Sequence, residues 1–86
     1  MPIQIMVSAG TDGKTQLVDV EPGENLSLLF QKISDRRGVE KQYLQIVYAG
    51  KTYRPGDAKT DYKTLADLGM KDRSLVQLVT RLPGGQ

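Results

Sequence analysis

One stretch sets what this chain can fold into: Glu24-Asn25-Leu26-Ser27-Leu28-Leu29-Phe30-Gln31-Lys32-Ile33-Ser34-Asp35-Arg36-Arg37-Gly38. It is the only segment with a sustained helical period. Leu26, Leu29, Phe30 and Ile33 fall at i, i+3, i+4, i+7, one face of a helix. Gln31, Lys32, Ser34 and Asp35 fill the opposite face. Asn25 can cap the start by accepting from a first-turn amide, and Glu24 adds negative charge at the end where the helix dipole favours it. Arg36 and Arg37 sit where cations are favoured, and Gly38 supplies a left-handed terminator. A stripe of four large apolar side chains needs a sheet to cover it. The remaining segments supply one.

Ile3–Ser8 and Thr15–Val20 alternate as half-buried strands, joined through Asp12-Gly13, a pair suited to a tight hairpin turn. Ile3, Ile5, Val7, Val18 and Val20 point to the helix, while Met6 and Leu17 point outward. After a polar connection, Tyr43–Tyr48 forms a third strand with Leu44, Ile46 and Tyr48 inward and Gln45 and Val47 outward. Ala49-Gly50-Lys51 turns into a short strand at Thr52-Tyr53. The segment from Arg54 to Asp61 has turn formers and no apolar period, which predicts an exposed, least-structured loop. Thr64–Met70 reads as one helical turn closed by Gly69, and Leu75–Arg81 as the last strand, with Gln77 and Val79 outward. Leu82-Pro83-Gly84-Gly85-Gln86 breaks the strand and is expected to be a mobile tail. The order ββαββ-3₁₀-β predicts an α+β fold, a mixed sheet wrapped on one main helix.

Composition narrows the function. Eighty-six residues make one domain, expected to span 1–82, with 83–86 a tail or the start of a linker. There is no cysteine for a disulfide and no Cys/His set for zinc, so neither metal nor cofactor is expected. Without histidine or cysteine, no Ser-His or Cys-His pair is possible, and the carboxylates are dispersed; an enzyme is not expected. A net charge of +2 with interspersed signs is not a nucleic-acid footprint. Gly-Lys-Thr at Gly13-Lys14-Thr15 lacks phosphate-loop spacing. No apolar run approaches the ~20 residues that span a bilayer, and the N-terminal segment does not read as a signal peptide. These features predict a monomer in the cytoplasm or nucleus that binds neither nucleic acid nor membrane.

From Ile3 to Gly85 the chain resembles the ubiquitin-like family. The matching pieces are Ile3-Gln4-Ile5, Gly13-Lys14-Thr15, Val20-Glu21-Pro22, Lys32-Ile33, Gly38-Val39, Ala49-Gly50-Lys51, Thr64-Leu65-Ala66-Asp67 and Leu78-Val79-Thr80-Arg81-Leu82-Pro83-Gly84-Gly85. They lie in register, with insertions at the hairpin and in the Pro55–Lys63 loop. The resemblance implies a β-grasp fold and partners of the ubiquitin system: receptors, ligases, proteasome subunits and an activating enzyme. It places a docking patch at Val47 and Val79, with Gln77 where the family has a histidine, Gly10 near the place of a hairpin leucine, and Lys51 at the fringe. Gln45 stands where the family has an arginine. A second patch maps to Val39, Thr80 and Leu82. Lost apolar surface costs roughly 0.8 kcal/mol per buried methylene, so receptors of the family are expected to bind weakly. Lys14, Lys32 and Lys51 match lysines used for chain building, and Phe30 replaces another.

The tail is the sharpest chemical feature. In the family, Arg81, Gly84 and Gly85 would form a conjugation tail, since a glycine pair threads an activating enzyme's narrow channel. Gln86 would first be cut away. The other reading makes Pro83-Gly84-Gly85 a linker to a further domain, with Pro83 where modifier tails carry a flexible or basic residue. The expected function is therefore a recognition module, N-terminal in a larger protein. The alternative is a modifier processed after Gly85 and joined to lysines by an isopeptide bond.

Overall fold

The computed structural model describes residues 1–9 and 14–81. Five strands and one helix follow one another as β1 (Ile3–Ala9), β2 (Thr15–Val20), α1 (Leu26–Arg37), β3 (Leu44–Tyr48), β4 (Lys51–Tyr53) and β5 (Leu75–Thr80). The sheet order is β2-β1-β5-β3-β4. β1 pairs antiparallel with β2 and parallel with β5, so the first and last strands meet in the centre. The sheet is mixed, and α1 lies across its inner face.

The helix forms for the reasons its sequence states. Leu26, Leu29, Phe30 and Ile33 are buried. The Asn25 side chain accepts from the Leu28 amide at 2.9 Å, and Gly38 ends the helix at φ 66°. Asn25→Ala is expected to cost about 1 kcal/mol in chemical denaturation, because the Leu28 amide loses its side-chain acceptor and keeps only the Asn25 backbone carbonyl, at 3.1 Å. Against the stripe pack Ile5, Val7, Val18, Val20, Leu44, Ile46, Val76 and Leu78 from the strands, with Leu65 and Met70 closing one end. No charged side chain is buried among the described residues.

Two segments depart from the sequence expectation. The 3₁₀ turn lies before β3, at Lys41–Tyr43, so the third strand begins at Leu44 and not Tyr43. Between β4 and β5, Thr64–Met70 makes the expected single turn, the Leu68 amide donating to Thr64 O and Leu65 O. It closes when the Gly69 amide donates to Ala66 O and the Met70 amide to Leu65 O, a pairing made possible by Gly69 at φ 84°. The Arg54–Asp61 loop is exposed as expected but is not the least structured part. Asp57 Oδ1 accepts from the Lys59 amide and Asp61 Oδ2 from the Gly56 amide. Carbonyls at its end and just past it also serve the helix: the Leu26 and Ser27 amides donate to Lys63 O and Asp61 O at 3.0 and 3.1 Å. A helix start leaves four amides without intrahelical acceptors, and this loop satisfies two of them.

Candidate functional site

The helix buries one face of the sheet and leaves the other open. Strand side chains alternate, so burial of Ile46, Val76 and Leu78 turns Gln45, Val47, Gln77 and Val79 outward. The antiparallel β3–β5 register sets Val47 opposite Gln77 and Gln45 opposite Val79. These four residues form a compact square on two adjacent strands. Thr52 of β4 opposes Val47 on the other side. Val79 is 41% exposed and Val47 half-buried.

Cations border this square. Arg54 follows β4 on the same face, and its Nε donates to Gln45 Oε1 at 2.9 Å. Arg81 continues the outward register of Gln77 and Val79, its amide donating to Tyr43 O at 2.7 Å. Lys51 is exposed and opposes Tyr48, on the other parity from Thr52, past the two-residue turn Ala49-Gly50, whose φ angles of 52° and 79° are both positive as a primed hairpin turn requires. Between 44 and 54 and between 75 and 81 the only charged residues are Lys51, Arg54 and Arg81, and none is acidic. Sequence reasoning noted a glutamine at position 45 but missed that Arg54 lays its guanidinium on it. Two-residue alternation after Thr52 was the available signal. Leu75 was missed too; it is 51% exposed and lies two residues before Gln77 on the same face.

The other candidate residues are less gathered. Val39 is half-buried against the core, and its carbonyl accepts from Ser34 Oγ. Thr80 is exposed at the end of β5, opposite Leu44. Gly10, Leu82, Gly84 and Gly85 lie outside the described residues. Of the lysines, Lys14 and Lys51 are exposed. Lys32 is held: Nζ lies 3.0 Å from Glu24 Oε2 and donates to Asp19 O at 2.9 Å. It ties helix to β2 and to the segment before the helix, so Glu24 acts through this pair as well as through the dipole. Lys32→Ala is expected to destabilise by about 1.5–3 kcal/mol, the range for hydrogen bonds to charged groups, measured by urea unfolding; a change near zero would contradict the clamp.

The family model described as "Ubiquitin family" matches residues 5–83. The chain belongs to the ubiquitin family. Among solved structures it is similar to a ubiquitin of Caldiarchaeum subterraneum, at 21% identity and a TM-score of 0.81, covering 99% of this chain and all of the other. That likeness is one of fold, the β-grasp of ubiquitin. Against this ubiquitin-like frame, the square of Gln45, Val47, Gln77 and Val79 lies on the sheet face that the helix leaves uncovered.

Proposed function

We propose that this ubiquitin-like domain is a non-catalytic recognition module of the ubiquitin and proteasome system, docking proteins as a monomer through the outer sheet face in the cytoplasm or nucleus. The observation that carries the reading is the uncovered square built on Val47 and Val79, bordered by Arg54 and Arg81 with no carboxylate on β3, β4 or β5. Such a surface suits partners with aliphatic anchors and acidic flanks. Arg54 on Gln45 supplies a cation that the residue at position 45 lacks. Receptors, ligases and proteasome subunits are the partner class, and the domain's place is at the N-terminus of a larger protein, in keeping with Pro83-Gly84 as a linker.

The second reading, a modifier processed after Gly85, is favoured by the sequence Arg81-Leu82-Pro83-Gly84-Gly85 alone. One assay separates the two. The chain ending at Gly85 is incubated with ubiquitin-like activating enzymes and ATP, and the products are resolved with and without reductant. The recognition reading predicts no reducible thioester on any of them; a thioester would establish the modifier.

A further inference from the structure

The helix side of the molecule carries a groove of about 480 Å³ between the start of α1, the segment before β3 and the loop after β4. Its walls include Glu24, Ser27, Leu28, Gln31, Lys41 and Tyr62. Two of these are exposed apolar groups, Leu28 at 40% and Tyr62 at 78%. Of the four tyrosines, Tyr62 alone is exposed. Its backbone is nonetheless fixed. Asp61 O and Lys63 O, on either side of it, accept from the Ser27 and Leu26 amides at 3.1 and 3.0 Å. Those bonds pin Tyr62 along the first turn of α1, on the groove that Leu28 also lines. Tyr62 belongs to the Pro55–Lys63 insertion, so this groove is built by a part of the chain outside the family resemblance. Charge in the groove is one-sided. The Glu24 carboxylate is taken up by Lys32 Nζ at 3.0 Å. Lys41 is half-buried, and its Nζ donates to a neutral group, Ser27 Oγ, at 2.6 Å. No carboxylate lies within ion-pair distance of Lys41 among the described residues. The loop carboxylates turn inward, Asp61 Oδ2 accepting from the Gly56 amide and Asp57 Oδ1 from the Lys59 amide. A half-buried ammonium without a counter-charge favours an incoming anion.

We propose that this groove receives a segment of a partner protein in which one aromatic side chain stands beside a carboxylate. The aromatic ring lies between Leu28 and the ring of Tyr62, where offset or edge-to-face contact adds to the apolar burial. The carboxylate meets Lys41 Nζ and supplies the counter-charge that Ser27 does not. Because the Tyr62 backbone is already held by two hydrogen bonds, little ordering cost opposes binding. The groove lies on the opposite side of the domain from the outer sheet face and takes a different partner, so the two sites succeed or fail independently.

The test titrates the whole labelled domain with two short capped peptides, a phenylalanine flanked by glutamates and a phenylalanine flanked by lysines, and follows the amide shifts. The glutamate peptide is expected to move Ser27, Leu28, Gln31, Lys41 and Tyr62, and to bind at least about tenfold more tightly than the lysine peptide. Leu28→Ser and Tyr62→Ser, both at exposed positions, are each expected to weaken it about tenfold with the amide spectrum otherwise unchanged. Lys41→Glu is expected to erase the preference for glutamates, while Lys71→Glu, the same charge change at an exposed position outside the groove, keeps it. Val47→Asp is expected to bind the peptide as the wild type does. Equal weakening by Lys41→Glu and Lys71→Glu would reduce the preference to net charge and overturn the groove. Loss of binding with Val47→Asp would move the peptide to the sheet face, with the same consequence. No shift at millimolar glutamate peptide, or unchanged binding by both serine variants, overturns the groove as well. Shifts at the groove residues on raising the protein concentration alone would assign it to a second copy of this chain and overturn the partner segment.

Discussion

Phe30→Ala is expected to lower the domain's stability by about 3–5 kcal/mol, the range for truncating a buried aromatic. Phe30 is fully buried, on the helix stripe and inside the core cluster. Its ring is the largest of the completely buried side chains, and the chain has neither disulfide nor metal ligand cluster among its described residues to compensate. Removing it leaves a cavity between helix and sheet that packed strands cannot collapse into. Native domains hold only ~5–15 kcal/mol in total, so the loss consumes much of the margin. Urea unfolding should show a lower midpoint at similar slope. A loss under about 1 kcal/mol would mean that the site relaxes, contrary to its packing.

Val47→Asp is the substitution with the largest expected effect on binding, and it should act without unfolding the domain. Val47 lies on the face away from the core, between Gln77 and Thr52, so the new carboxylate stays in water in the free protein. The cost to folding is about 1 kcal/mol, the span of strand propensity. In a complex the same group loses its hydration inside an apolar contact. Losing a buried valine costs roughly 1.5–3 kcal/mol, and desolvating a charge adds to it. At 1.4 kcal/mol per tenfold, affinity for a ubiquitin-system receptor is expected to fall at least about a hundredfold. The carboxylate would also repel a partner whose acidic flank meets Arg54 and Arg81. Measurement is by calorimetry, with circular dichroism confirming the fold. Retained affinity would remove this face from the docking surface.

The fold was legible because its signals are local and agree with one another. The stripe Leu26–Ile33, its Asn25 cap and its Gly38 stop place the helix, and period-two alternation places the strands. Phe30, standing where the family has a lysine, makes sense once the position is seen to be fully buried in a core without charge. The loop after Arg54 was less legible. Its order comes from Asp57 and Asp61 bonding to backbone amides, and from helix amides that need acceptors far away in sequence. No periodicity encodes such bonds.

The outer sheet face proposed for docking was legible only in outline. Alternation turned Val47, Gln77 and Val79 outward, but facing pairs across β3 and β5 depend on register, which alternation does not fix. The same holds for Arg54 reaching Gln45. Lys32 looked like any solvated lysine. Only the approach of α1 to Asp19 and Glu24 shows it to be a clamp.

We propose that the sheet face opposite the helix receives protein partners. Amide chemical-shift mapping tests it most directly. The domain is labelled and titrated with a purified ubiquitin-binding receptor of the proteasome. Perturbations are expected to gather on Gln45, Val47, Gln77, Val79 and Arg54, with the exposed helix positions Leu28, Gln31 and Asp35 unmoved. Perturbations centred on those helix positions, with the sheet face silent, would contradict it.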